Sequence, residues 1–135
     1  MPVLASLATL PAFLAYFVGA LALVAIFVAV YVRVTPYSEF ALIGAGNVAA
    51  AISLGGAVIG FAMPLASVIA HSVGWLDMIV WGLVALVVQL LVYVGARSVM
   101  PTIAEHVKQG RVAPATALAI ASLTVGLLNA ACITY

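Results

Sequence analysis

The chain has 135 residues, 68% of them hydrophobic and 5% charged, against roughly 25% charged residues in a soluble domain. So much apolar surface cannot be hidden in a fold of this length, which excludes a soluble protein and makes the lipid bilayer its solvent. The net charge of +1 leaves no electrostatic footprint for nucleic acid, and the length fits one domain over residues 1–135.

A membrane helix needs about 20 apolar residues, and four stretches satisfy this. The first runs from about Pro11 to Val32, without a charge inside it, and Arg33 ends it at a membrane surface. Residues 1 to 10 carry no Lys or Arg, and the apolar run outlasts the ~7–15 residues of a signal peptide's apolar core. The segment therefore reads as a retained span, and no lipidation motif accompanies it.

The following VTPYSEFALIGAG reads as a short interfacial helix, or as the first turns of the second span, with Gly44 and Gly46 separating the two. Thr35 and Pro36 suit an N-cap and a first-turn proline. Glu39 falls in the next turn, where a helix N-terminus favours negative charge. Tyr37 and Phe40 suit the headgroup level.

The second span, residues 46 to 70, is the most Gly- and Ala-rich part of the chain: GNVAAAISLGGAVIGFAMP opens it. Gly46, Gly55, Gly56 and Gly60 sit where a lipid-facing helix would carry Leu or Ile. Gly56 and Gly60 form a G-x-x-x-G pair, and Ala49, Ser53 and Ala57 extend a face of small residues that permits close helix approach. Pro64 removes a backbone donor and crowds the carbonyl of Gly60, a kink that a bundle interior tolerates. In the turn His71–Asp77, Gly74 suits a helix C-cap, Asp77 favours the next helix start, and Trp75 and Trp81 mark an interface belt.

The third span, residues 76 to 96, is Val- and Leu-rich, with Gln89 as its one polar interior residue and Arg97 at its end. Gln89 reads as a hydrogen bond to another helix. The segment SVMPTIAEHVKQGRV holds Glu105, His106, Lys108 and Arg111 and reads as a water-exposed loop with some helix. The fourth span runs from 113 to 134, with Pro114 in its first turn. Ser122, Gly126 and Ala130 share one small face, with Thr124 and Asn129 on the same helix. Cys132 is alone, which excludes an internal disulfide, and reads as a small packing residue.

Arg33, Arg97, Lys108 and Arg111 all fall in the loops after spans one and three, with no Lys or Arg on the other side. The positive-inside rule makes those loops cytoplasmic and both termini external. A shift of 64 residues aligns Gly46, Val48, Ala49, Ala51, Leu54 and Ala57 with Gly110, Val112, Ala113, Ala115, Leu118 and Ala121, and Arg33 with Arg97. This suggests a parallel repeat of two helix hairpins, with spans two and four, the small-residue pair, together at the centre.

Chemistry-bearing residues are sparse. Glu39, Asp77 and Glu105 all fall at or outside the membrane surfaces on this reading, which speaks against a proton-coupled transporter. No nucleophile–base set, phosphate loop or Cys/His cluster is present, so neither an enzyme nor a bound cofactor or metal is expected. His71 and His106 fall on opposite sides. Asn47 and Asn129 lie near opposite surfaces, and each reads as bonded to backbone or water.

The strings GNVAAAISLGGAVIGFAMPL, TPYSEF, HSVGWLDMIVWG and GLLNAACITY resemble the YjfL-like family of small bacterial inner-membrane proteins, also catalogued as a domain of unknown function, number 350. The similarity runs from about Val18 to Tyr135. It implies a four-helix, multi-pass inner-membrane protein without an assigned enzymatic activity, some members being linked to envelope-stress gene sets. No active site comes with it.

The fold class expected is thus an all-α bundle of four transmembrane helices, assembling as a homo-oligomer. Two functions fit. One is a small channel for ions or solutes along a seam containing Asn47, Ser53, Gly55, Gly56, Gly60, Pro64, Thr124, Gly126 and Asn129. The other is a membrane-embedded module that meets a cytoplasmic protein partner through Arg33, Glu39, Arg97, Glu105, Lys108 and Arg111.

Overall fold

A computed structural model describes residues 2–133; Thr134, the expected end of the last span, lies outside them. Among the described residues all regular structure is helical. The elements in order are α1 (Pro2–Leu7), α2 (Leu10–Val34), α3 (Glu39–Gly44), α4 (Val48–His71), α5 (Trp75–Val99), α6 (Ile103–Lys108) and α7 (Val112–Cys132). Four helices are long and apolar enough to cross a membrane: Pro2–Val34, which joins α1 to α2, then α4, α5 and α7. The chain is an all-α, multi-pass membrane protein. α2 and α5 run past the expected spans at both ends; α4 starts two residues later than expected and ends one later; α7 starts one earlier and ends at Cys132; and α1 adds a turn that sequence periodicity had not marked.

The bundle is built on α4 and α7, whose mutual contact is the most extensive in the fold. Small residues make it possible. A methyl placed on Gly56 would lie 2.6 Å from Ala119 Cα, and one on Gly126 would lie 2.7 Å from Gly60 Cα. Both separations are below any real Cβ contact, so the two backbones meet directly. In lipid this close packing replaces the hydrophobic drive that would join helices in water. Gly56 pairs with Ala119, Gly60 with Gly126, and Ser67 Oγ donates to Ala130 O at 3.0 Å. The register rises together on both helices, so α4 and α7 run parallel.

α5 and α2 pack on the flanks of this pair. Gly19 and Gly82 allow it: a methyl on Gly19 would meet Met78 and Trp75 at 2.8 Å, and one on Gly82 would meet Leu23 at 2.7 Å. Neither glycine stood out in the sequence, because neither belongs to a small-residue stripe. Trp75 Nε1 ties the first turn of α5 to α2 by donating to Ala15 O at 3.0 Å. α2 buries one stripe, Gly19, Leu23, Phe27 and Tyr31, and leaves the rest to lipid. Phe27 stacks on Phe61 of α4 with ring centroids 4.7 Å apart. Pro64 sits buried inside α4, which continues through it to His71.

Several local expectations change. Thr35 is the C-cap of α2, not an N-cap; Ser38 takes the N-cap of α3. Gly74 precedes α5 as its N-cap and Ser72 ends α4. Gly46 serves conformation rather than packing, with φ of 89°, a left-handed position where a side chain would be strained. Gly55 has open space around it and Thr124 is exposed, so both face away from the seam. Cys132 is exposed at the end of α7.

Element bounds recur along the chain. α3 and α6 both span six residues and start 64 positions apart, as do the starts of α4 and α7. Gly46 and Gly110, also 64 apart, are the two glycines of positive φ among the described residues. The turn bonds recur as well: Gly46 N donates to Ile43 O, Gly110 N to Val107 O, Asn47 N to Leu42 O and Arg111 N to His106 O.

Candidate functional site: a buried carboxyl among phenols

Two features gather at the end of the bundle that carries α3 and α6. The first is a platform. α6 buries Ile103, Ala104 and Val107 against the bundle and leaves Glu105 and Lys108 exposed. Asn47 holds it down. Its Nδ2 donates to Val107 O (2.9 Å) and Lys108 O (3.3 Å), while its Oδ1 caps α4 by accepting from Ala50 N (3.0 Å). Asn47 thus has backbone partners, as its position suggested. Arg33, Arg97 and Arg111 are exposed at the same end. Lys108 pairs with Glu105 at 3.4 Å, a surface contact worth little by itself.

The second feature reverses an expectation. Glu39 is not a surface residue: only 1% of it is exposed, whereas the neighbouring Phe40 is 61% exposed. The short α3 turns its charged residue inward and its aromatic residue outward, against the usual cost of burying a carboxyl. Thr35 donates to Glu39 Oε1 from the end of α2. Glu39 Oε2 has no hydrogen-bond partner among the described residues, and neither do the hydroxyls of Tyr31, Tyr37 and Tyr93. All three tyrosines are buried. Tyr31 and Tyr93 meet edge to face at 5.8 Å. Glu39 lies close enough to all three phenols to act on them electrostatically.

Burial pushes the Glu39 carboxyl above the usual carboxylate range, although the Thr35 hydroxyl and its own backbone pull the other way. Burial raises the Tyr37 phenol too. Ser53 of α4 borders that phenol, but its hydroxyl donates to Ala50 O at 3.2 Å. The cluster therefore draws on α2, the 35–38 linker, α3, α4 and α5. The sequence offered a signal for it: Tyr31, Thr35 and Glu39 recur every four residues, as do Gln89, Tyr93 and Arg97. The pattern was masked because it crosses a helix end at Pro36.

The remaining polar residues lie elsewhere. Gln89 Nε2 donates to Ser122 O at 3.0 Å, the interhelical bond expected of it. Asn129 lies at the far end, its Nδ2 buried and without a partner among the described residues. Gly56, Gly60, Gly126 and Ser122 fill the seam, and their contacts close it. Flanking the seam, an open apolar groove of about 420 Å³ is lined by Gly95, Val99, Ile103, Ala117 and Val125, among others.

The family model described as Domain of Unknown Function (DUF350) matches residues 5–133. The chain belongs to the DUF350 family. Two relatives, both called UPF0719 inner membrane protein YjfL, come from Escherichia coli strain K12 and Escherichia coli O157:H7. Each is 39% identical over 127 residues, covering 94% of this chain and 96% of the relative. No solved structure matches. With four spans and a relative named for the inner membrane, this DUF350 member is a multi-pass inner-membrane protein.

Proposed function

We propose that the protein is a membrane-embedded interaction module, with the α6 platform as its contact surface. The observation that carries this reading is the docking of α6. A six-residue helix is too short to hold itself together in water, yet three of its residues are buried and Asn47 ties down its last turn. The result is a fixed surface bearing Arg97, Lys108 and Arg111. The excess of basic residues at this end supports a cytoplasmic orientation, with both termini outside. An acidic segment of a cytoplasmic protein is the complementary partner. The recurrence of helix bounds and turn bonds at a 64-residue shift supports descent from a duplicated unit.

The competing channel reading finds less support. The α4–α7 seam is closed by backbone contact at Gly56 and Gly60, so a single chain offers no path there. A pore would have to form between several copies, around outward-facing residues such as Thr124 and Gly55. The test is photo-crosslinking in cells from positions 108 and 111. Recovery of a distinct protein, lost when Arg97 and Arg111 are both changed to Glu, supports the module. Recovery of lipid and self-contacts alone, together with conductance of the purified protein in planar bilayers, overturns it in favour of a pore.

A further inference from the structure

We propose that Glu39, Thr35 and the hydroxyls of Tyr31, Tyr37 and Tyr93 form a proton-binding site, filled and emptied from the α3 end of the bundle, in which Glu39 carries the proton. The proposal does not depend on a partner at α6.

Four buried oxygen atoms, Glu39 Oε2 and the three phenol oxygens, have no partner among the described residues. Leaving one such group unmet costs about 1–3 kcal/mol, so four together in one interior mark a place where something is bound. A phenol supplies one hydrogen and accepts through oxygen; an ionised carboxyl only accepts. Thr35 already donates to Oε1. Three phenol hydroxyls and one carboxylate oxygen are therefore left to be satisfied in the same interior. A metal cation would take up oxygen lone pairs and leave the phenol hydrogens without acceptors, so the donor-rich set does not suit one. A water molecule both accepts and donates, and joins the phenols to Oε2. The same arrangement serves either state of the carboxyl. When Glu39 is ionised, the hydroxyls and water donate to it; when it is protonated, Oε2 donates to the water. On uptake an O–H bond forms at Oε2 while an O–H bond of a hydronium ion breaks, and no electrons change hands.

The charge setting agrees. The polar groups around Glu39 are Tyr31 of α2, Thr35 and Tyr37 of the linker, Ser53 of α4 and Tyr93 of α5, with the exposed Arg97 guanidinium acting on Tyr93 from one turn further along. Arg97 acts on Tyr93, and no ion pair joins it to Glu39 among the described residues. Burial then favours the neutral acid.

Access is one-sided. Towards the membrane centre the stacked rings of Phe27 and Phe61 cover the cluster, and Leu23, Leu65, Val68 and Met78 are all buried beyond them. Towards the other side lie Thr35 and Tyr37, both a few per cent exposed at the surface end. Inward of the cluster the next buried polar side chain is Gln89, one turn from Tyr93 on α5, an amide with no buried carboxyl beyond it among the described residues, which suits a sensor of pH on one side of the membrane and not a transporter.

The test is infrared spectroscopy of the full chain in phosphatidylethanolamine–phosphatidylglycerol vesicles, with glutamate carrying carbon-13 carboxyls. The chain has two glutamates, so in an E105Q background the label reports Glu39 alone, with no substitution in the cluster. The expected result is a labelled carboxylic-acid band that persists above the ordinary carboxylate range. It shifts in heavy water, disappears on further alkalinisation and is absent in E39Q. Thr35→Val, which removes a donor to the carboxylate, should tighten proton binding about tenfold, the effect of roughly one unit of pKa. An ionised Glu39 at neutral pH overturns the proposal. So does a band that neither exchanges nor titrates, which would make Glu39 a sealed structural acid. Proton flux across the vesicles that E39Q abolishes overturns the one-sided access.

Discussion

The two halves of the chain share helix starts and turn bonds at a 64-residue shift and differ in chemistry. Shifted by 64 residues, Tyr31, Thr35, Glu39 and Ser53 fall on Gly95, Val99, Ile103 and Ala117. The first set forms the polar cluster around the buried carboxyl. The second lines the open apolar groove. Ile103 begins a six-residue helix of the same length as the one Glu39 begins, and both residues are buried. The comparison teaches that this short helix does not need a carboxyl to form. An apolar residue suffices at the same position, so Glu39 burdens the fold and its reason lies outside stability. Buried ionisable groups in membrane proteins are rare for this cause and mark function by default.

The largest effect should come from exchanging the chemistry of the halves. Ile103→Glu would bury a carboxyl with Val99 where Glu39 has Thr35. A shift on the order of 3 pKa units, common for fully buried acids, amounts to about 4 kcal/mol of destabilisation at neutral pH. The loss should ease on acidification as the new acid is neutralised. Glu39 itself carries the same sign. Its pKa is raised in the folded state, so the native chain binds the proton more tightly than the unfolded chain does. Stability is then greatest below the unfolded value near 4.3. It falls as pH rises towards the folded value and levels off above it. Glu39→Gln should flatten that slope. Denaturation midpoints measured in detergent across pH test both, and a pH-independent wild type would remove the basis of the comparison.

The seam should give the next largest effect. Gly126→Leu forces a side chain into the Gly60 backbone, which cannot retreat as a flexible side chain would. Overpacking costs about 1–3 kcal/mol where neighbours can adjust, so about 3 kcal/mol or more is expected here. Gly55→Leu, on the outward side of α4, should change stability by less than about 0.5 kcal/mol. Equal losses at both sites would mean that Gly55 is packed in the membrane against something else, which is the way an oligomer would announce itself.

How much of this could be read beforehand differs between the same two regions. The seam was legible, because helix packing in lipid depends on small side chains, and Gly56, Gly60, Ser122 and Gly126 recur at helical spacing. Thr124 and Gly55 were misplaced, since a small-residue stripe does not say which of its neighbours faces out. The carboxyl cluster was not legible. Hydropathy puts a charged residue beside an aromatic one at the membrane surface, with the charge in water; the structure rotates α3 so that Phe40 is outside and Glu39 is inside. That rotation follows from the Thr35–Glu39 bond across the helix end and from the packing of α3 on α4; the four-residue recurrence that carries the first is interrupted at Pro36, and the second is tertiary.

The ends of the spans separate the halves more gently. Asn47 caps α4 and binds two carbonyls of the α6 turn, while its counterpart Arg111 makes no side-chain cap to α7. Asn47→Ala should cost about 1–2 kcal/mol, a cap being worth about 1. It should also speed amide exchange in residues 107–110. Asn47→Asp keeps the cap acceptor and loses the donors, so it should restore most of the stability but not the exchange protection. If Asp restores both, Asn47 acts as a cap alone and α6 is held by its apolar residues.

The smallest effect concerns Gln89, whose counterpart Ala25 is exposed on the outer side of α2. Gln89 Nε2 donates to Ser122 O, but its Oε1 is buried without a partner among the described residues. One interhelical bond in a membrane is worth about 0.6 kcal/mol on average, and an unmet acceptor offsets part of that. Gln89→Leu removes both at once and keeps most of the volume, so a change within about 0.5 kcal/mol is expected. Gln89→Ala should cost more, because a hole opens against Gly60, where Gln89 Nε2 now lies. If Leu proves as damaging as Ala, Gln89 holds α5 to α7 by its polar end and not by its bulk. The polar line from Tyr93 to Gln89, one turn apart on α5, would then extend the chemistry of the first half into the middle of the membrane.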